Sequence, residues 1–288
     1  MGYFLILIYC LLHTAESVTI RGYAKKFGAG GMLVNALISL FAMLFFVFTD
    51  TGGFDFRAEM IPYALLSVFL FATGFYMSFL SYRFGPFGLT RLLFSFQLLF
   101  MVFFGLFYLE ESATPILYVG IAMILASIVL INSNNLTKKE EGVKLSFKWL
   151  ICVLLNITAN GIIAILTKIQ QIRFNNETSN EYMIISLGGA ALALLFMGLI
   201  IDRKKAKTVF TKGLLYGALA GASNGARSLI NLFILLWMPL SISSPIKTGV
   251  ELVIAFIVSL LIYREKYSPL QLTGVGLGAS AVLLLTIF

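Results

Sequence analysis

The chain has 288 residues, of which 59% are hydrophobic and 12% charged, about half the charged share of an ordinary soluble domain. A water-soluble fold cannot hide that much apolar surface, so the bilayer is the solvent. The net charge of +8 does not point to nucleic acid, because Lys and Arg cluster in short breaks beside apolar runs, where positive charge reports membrane orientation.

A hydrocarbon core takes roughly 20 apolar residues per helical span. Such runs cover residues 3–20, 32–48, 60–82, 87–108 and 115–131, and then 147–169, 182–201, 212–237, 241–263 and 269–288. The first run has no positive stretch before it and no small-residue cleavage site after it, which predicts a retained span and not a signal peptide. Pro62, Pro115 and Pro269 stand at predicted starts, where a missing backbone donor costs nothing because first-turn amides are unpaired. Between the two sets lies the polar stretch NSNNLTKKEEGVK. The predicted division is a first five-helix unit at 1–136, a linker at 137–146 and a second unit at 147–288. Cys10 and Cys152 sit in apolar runs of separate units, which predicts packing residues and neither a disulfide nor a metal site.

The two units read as copies. Glu111, Pro115 and Gly120 recur as Glu265, Pro269 and Gly274, each displaced by 154 positions, and Ala15 and Glu16 of LLHTAES answer Ala159 and Asn160 of LLNITANG at a displacement of 144. Each copy has an odd number of spans, so the second inserts upside down relative to the first, giving an inverted repeat. One set of alternate breaks holds nearly all the Lys and Arg, including Arg21, Lys25, Lys26, Arg203, Lys204, Lys205, Lys207 and Lys212. The other set holds Arg57, Lys168 and Arg173. The positive-inside rule then puts the rich set in the cytoplasm and both termini outside.

Two five-helix units, each closing with a Glu, a Pro and a Gly-containing last helix, resemble the EamA-like branch of the drug/metabolite transporter superfamily. The likeness runs through KWL, NGIIAILTKIQQ and PLSISSPIKTGVELVIAFIVSLLIYREKYSPLQLTGVGLGA, and is greatest to the short transporters of Gram-positive bacteria. It implies a ten-helix fold around a central cavity, worked by alternating access without ATP. It also implies, from many relatives, cytoplasmic termini, against which the charge bias stands. AESVTIRGYAKKFG is similar to the first helix of the small multidrug resistance proteins, with Glu16 in the place of their proton-exchanging glutamate.

An ionised group near the bilayer midplane costs at least about 2.5 kcal/mol, so each one retained there needs a partner, a wet cavity or a task. His13, Glu16, Arg227, Lys247 and Glu251 are such groups. His13 and Glu16 share one helix face, and with Glu251 are the candidates for proton exchange. Glu16 has an alternative as the ion-pair partner of Arg21 or Lys25. Arg227 offers a planar fork of donors to a carboxylate or phosphate, with Asn224 and Asn231 on its side of the helix. Lys247 and Glu251 lie one turn apart and are expected either to pair with each other or, for Glu251, with Arg227. The repeat maps Glu251 onto Gln97, and Asn160 onto Glu16, so Gln97 and Asn160 join Arg227, Lys247, Asn224 and Asn231 as the predicted solute-binding set. Gly217, Gly221 and Gly225 read as a packing stripe, as do Gly274, Gly276 and Gly278, which have no preceding strand and make no nucleotide loop. Pro245 either kinks the ninth helix or marks its start.

The expectation is an all-α integral membrane protein of about ten helices in two inverted repeats, not an enzyme, with no cofactor and no metal. It exports a small polar metabolite, amino-acid-like or an organic anion, across the plasma membrane, coupled to protons, as a monomer or homodimer. The alternative is a non-transporting membrane scaffold or an intramembrane enzyme.

Overall fold

The computed structural model describes residues 2–27, 30–49, 53, 55, 57–84, 90, 93–112, 114–131, 147–258 and 268–287. The predicted linker at 137–146 and Glu265 lie outside the described residues. In lipid every backbone amide and carbonyl must find its partner within the protein, and a chain of apolar runs meets that demand as helices. The first five are α1 (Gly2–Phe27), α2 (Gly31–Thr49), α3 (Ile61–Phe84), α4 (Gln97–Phe107) and α5 (Pro115–Ile131). The second five are α6 (Phe147–Arg173), α7 (Ser179–Ile201), α8 (Leu214–Trp237), α9 (Leu240–Val258) and α10 (Pro269–Ile287). Among the described residues there is no strand, and six segments are long and apolar enough to cross a bilayer: those of α1, α2, α3, α6, α7 and α8.

Local chemistry sets several ends. Pro115 and Pro269 take the first position of α5 and α10, and the Thr114 hydroxyl accepts from the Leu117 amide, capping α5. Between α6 and α7 the chain turns through Asn175 and Asn176, both with positive φ, a conformation that Asn tolerates better than most residues. Between α7 and α8 a 3-10 turn, one α-turn and a π-turn at Val209–Gly213 carry the exposed Lys204, Lys205, Lys207 and Lys212. Pro245 falls inside α9, not at its start.

Helices of the first five pack mainly on helices of the last five: α2 on α7, α1 on α8 and α9, α3 on α6 and α7, α5 on α10, α4 on α9 and α6, and α2 on α8. Exchange of the two sets turns α1–α8 into α6–α3, α2–α8 into α7–α3 and α1–α9 into α6–α4, which are pairings of the same fold. The two sets are therefore interleaved, and a largely apolar core encloses a smaller number of buried polar and charged side chains. Phe4, Phe48, Phe69, Phe107, Phe196 and Trp237 stand exposed, while Glu16, Asn35, Asn156, Asn224 and Lys247 are buried. A surface of that kind belongs in lipid.

The ends of the bundle differ in charge. The α7–α8 connection, the end of α1 and the start of α6 make a basic end with Lys26, Lys148, Arg203 and the four exposed lysines. Gly2 lies against Met238 in the α8–α9 turn at the opposite end.

Candidate functional site

Three helices carry the ionisable residues on facing sides. On α1, Tyr9, His13 and Glu16 follow at spacings of four and three, so they share a face. On α8, Asn224, Arg227 and Asn231 do the same, and α9 adds Lys247 and Glu251 one turn apart. Because α1 packs on both α8 and α9, these faces meet.

Glu16 Oε1 accepts from Asn224 Nδ2 at 2.9 Å and its Oε2 from Arg227 Nε at 3.1 Å. Arg227 Nη1 also donates to the Tyr9 hydroxyl at 3.1 Å. The Tyr9 ring receives two cations, with Arg227 Cζ 5.5 Å and Lys247 Nζ 5.2 Å from its centroid. Both distances lie within the reach of a cation–π attraction. Lys247 Nζ donates to Asn231 Oδ1 at 2.8 Å, and the Cys10 thiol donates to the Lys247 carbonyl. His13 Nδ1 and Glu251 Oε1 share a hydrogen bond of 2.8 Å.

These pairings correct the sequence reading on two points. Lys247 does not pair with Glu251; among the described residues no carboxylate lies within 4.0 Å of its ammonium. Glu251 takes His13 instead, because α1 brings the imidazole closer than one helical turn brings the lysine. Arg227 pairs with Glu16 and not with Glu251. The side chains of Arg21 and Lys25, the sequence alternative for Glu16, lie outside the described set.

A cavity of about 110 Å³ opens beside this network. Tyr9, Phe71, Gln97 and Met101 line it from the first five helices, and Asn160, Thr167, Arg227, Asn231 and Lys247 are among those that line it from the last five. Its volume is well under the several hundred Å³ of a drug-sized pocket. Of the predicted set, Gln97, Asn160, Arg227, Asn231 and Lys247 reach the cavity. Asn224, Glu16, His13 and Glu251 do not line it. They hold the cationic residues and each other in place. Asn160 Nδ2 is tied to the carbonyl of Asn156, whose own amide donates to Gly74 O across to α3.

Tyr9 is the residue that sequence reading missed. A tyrosine in an apolar run reads as packing, and only its spacing of four from His13 marked it as belonging to the charged face.

Residues 1–133 match the family model of the EamA-like transporter family. That stretch, a little under half of the chain, is similar to the EamA-like transporter family. The family so matched is one of transporters. The EamA-like stretch ends just after α5 does, at Ile131. No curated protein matches the chain. A solved structure described as the crystal structure of a protein is similar at a TM-score of 0.70, over 99% of this chain and 95% of that one, at 13% identity. At that identity the likeness shows the fold alone.

Proposed function

We propose that the protein is a secondary transporter that exports a small anionic or zwitterionic metabolite by alternating access between two inverted five-helix repeats. The observation that carries the reading is Lys247: a buried cation with no ion pair among the described residues, facing a polar cavity lined from both sets of helices. An unpaired buried ammonium is expensive, and an anionic group on a solute relieves that expense while it is bound. The cavity admits only a small molecule as it stands. The interchangeable helix pairings and the end of the EamA-like stretch near residue 133 support the repeat.

Proton exchange fits the His13–Glu251 pair better than Glu16. Both oxygens of Glu16 accept from Asn224 and Arg227 and its side chain is 8% exposed, whereas the His13 imidazole and the Glu251 carboxylate are hydrogen-bonded to each other and are each about a fifth exposed, 23% and 22%. Purified protein is screened against small carboxylates and amino acids by thermal shift, since a bound solute raises the melting temperature. The stabilising solute is then followed in proteoliposomes under a pH gradient. Lys247→Gln is expected to abolish the thermal shift, and Glu251→Gln to leave the shift but remove gradient-driven flux. No stabilisation by any solute in the panel, or an unchanged shift in Lys247→Gln, rejects the site; full flux in both Glu251→Gln and Glu16→Gln rejects the proton.

A further inference from the structure

The cavity has a roof, and the backbone of that roof is held by three polar side chains. Leu232, Leu235 and Leu240 line the cavity at the α8–α9 turn. The Leu232 carbonyl accepts from Gln171 Nε2 at 3.0 Å, and the Leu235 carbonyl from Lys168 Nζ at 2.5 Å, so α6 ties down the last turns of α8. The start of α9 is tied by the other set of helices: the Glu111 carboxylate accepts the Leu240 amide on Oε1 and the Ser241 amide on Oε2, each at 2.8 Å.

We propose that Glu111 is the positioning residue that latches this roof shut, and that its release opens the cavity at the opposite end from the basic cluster. The inference rests on the cavity being the path of the solute. First-turn amides have no partner within their own helix. A carboxylate that takes two of them at once makes charge-assisted bonds and complements the helix dipole. Gly105 leaves the room for it: a Cβ at that position would stand 2.5 Å from Glu111 Oε2 and 3.0 Å from the Ser241 nitrogen. Pro245 supplies the hinge. It has no amide to give the Ser241 carbonyl one turn earlier, so the segment from Leu240 to Ser244 is joined less stiffly to the part of α9 that carries Lys247. The closed arrangement also leaves the Ser241 and Ser243 hydroxyls buried without a partner among the described residues, a cost to the latched state that opening to water removes.

Thr167 is buried and lines the cavity beneath this roof, and Thr167→Cys serves as the reporter in protein reconstituted into lipid nanodiscs. The probe is a charged, membrane-impermeant methanethiosulfonate reagent. Losing one charge-assisted bond shifts a two-state equilibrium by about 10-fold or more. Glu111→Gln and Gly105→Ala are each expected to raise the labelling rate by at least ~10-fold, while Glu110→Gln, the exposed neighbour, leaves it unchanged. Equal rates in Glu111→Gln and the parent, or an equal rise in Glu110→Gln, overturn the latch. Where the variants do not fold, hydrogen exchange on the otherwise unaltered protein decides: Leu240 and Ser241 amides protected like those deeper in α9 support the latch, and fast exchange overturns it. Labelling reads access and not transport, so faster labelling in a protein that no solute stabilises rejects the transporter reading and leaves the latch standing.

Discussion

Glu16 and Arg227 form an ion pair with the carboxylate buried and the guanidinium about one-fifth exposed, and their worth is seen best by removing them singly and together. Either charge left alone in the bundle lacks the water that solvated it in the unfolded state, and stranding one partner of such a pair costs about 3–5 kcal/mol. Glu16→Gln and Arg227→Gln are each expected to destabilise the protein by about 3 kcal/mol, measured by reversible unfolding in detergent. The double variant is expected to lose well under the sum, since each substitution removes the charge that the other strands. Strict additivity means that the two side chains are not coupled. At this scale the sequence revealed which residues matter but not whom they meet. His13, Glu16, Arg227, Lys247 and Glu251 stand out because ionisable groups are rare in apolar runs. Their partners were illegible because Lys247 and Glu251 are neighbours along one helix, while the shorter path, His13 to Glu251, runs across two helices 238 positions apart in the chain. Tyr9 stayed hidden for the same reason: its value lies in two cations that other helices bring to its ring.

Among the elements, the glycine stripe of α8 behaves as its spacing predicts. A Cβ on Gly221 would stand 2.6 Å from the carbonyl oxygen of Ile38 and 2.5 Å from Phe41 Cβ, and one on Gly225 2.6 Å from Phe45 Cβ. Backbone cannot rotate aside as a side chain can, so α2 has to move. Gly221→Ala is expected to cost about 2 kcal/mol of stability. Gly276→Ala in α10, where a Cβ meets nothing within 4 Å, is expected to be neutral or to stabilise by up to about 1 kcal/mol through helix propensity. Unfolding midpoints that fall equally in both variants remove the packing argument. Helix positions were legible because hydropathy reports lipid contact directly. Helix ends were less so, since polar residues can continue a helix beyond the lipid. The α1 helix runs on to Phe27 through RGYAKKF, and α6 runs to Arg173 because Lys168, Gln170 and Gln171 find partners at Leu235, Thr178 and Leu232. The role of Pro245 was undecidable from sequence, because the start of α9 depends on a cap supplied by Glu111 from another helix.

For the whole molecule, the internal repeat in the sequence marks the two sets of helices but not how deeply they interleave, which depends on pairings between residues far apart in the chain. Orientation is the property that the entire charge distribution decides. At the basic end Lys204, Lys205, Lys207 and Lys212 are exposed along one short connection. At the opposite end each cation is engaged: Arg57 with Asp55 and Glu177, at 3.0 and 2.6 Å, Arg173 with the Tyr63 hydroxyl at 2.8 Å, and Lys168 with the Leu235 carbonyl. The imbalance in uncompensated positive charge is therefore larger than a count of residues suggests. A short loop rich in Lys and Arg resists crossing the membrane, and each cation carried outward against a potential of about 100 mV costs roughly 2.3 kcal/mol. The basic end is expected to face the cytoplasm, with both termini outside, although relatives of the family imply the reverse. Glu59→Cys, beside the start of α3, and Lys204→Cys, between α7 and α8, test this in whole cells with an impermeant maleimide, against the two buried native cysteines. Glu59→Cys is expected to label in intact cells and Lys204→Cys only after permeabilisation. The opposite pattern places the basic end outside, in which case the roof latched by Glu111 opens to the cytoplasm and becomes the loading gate instead of the release gate.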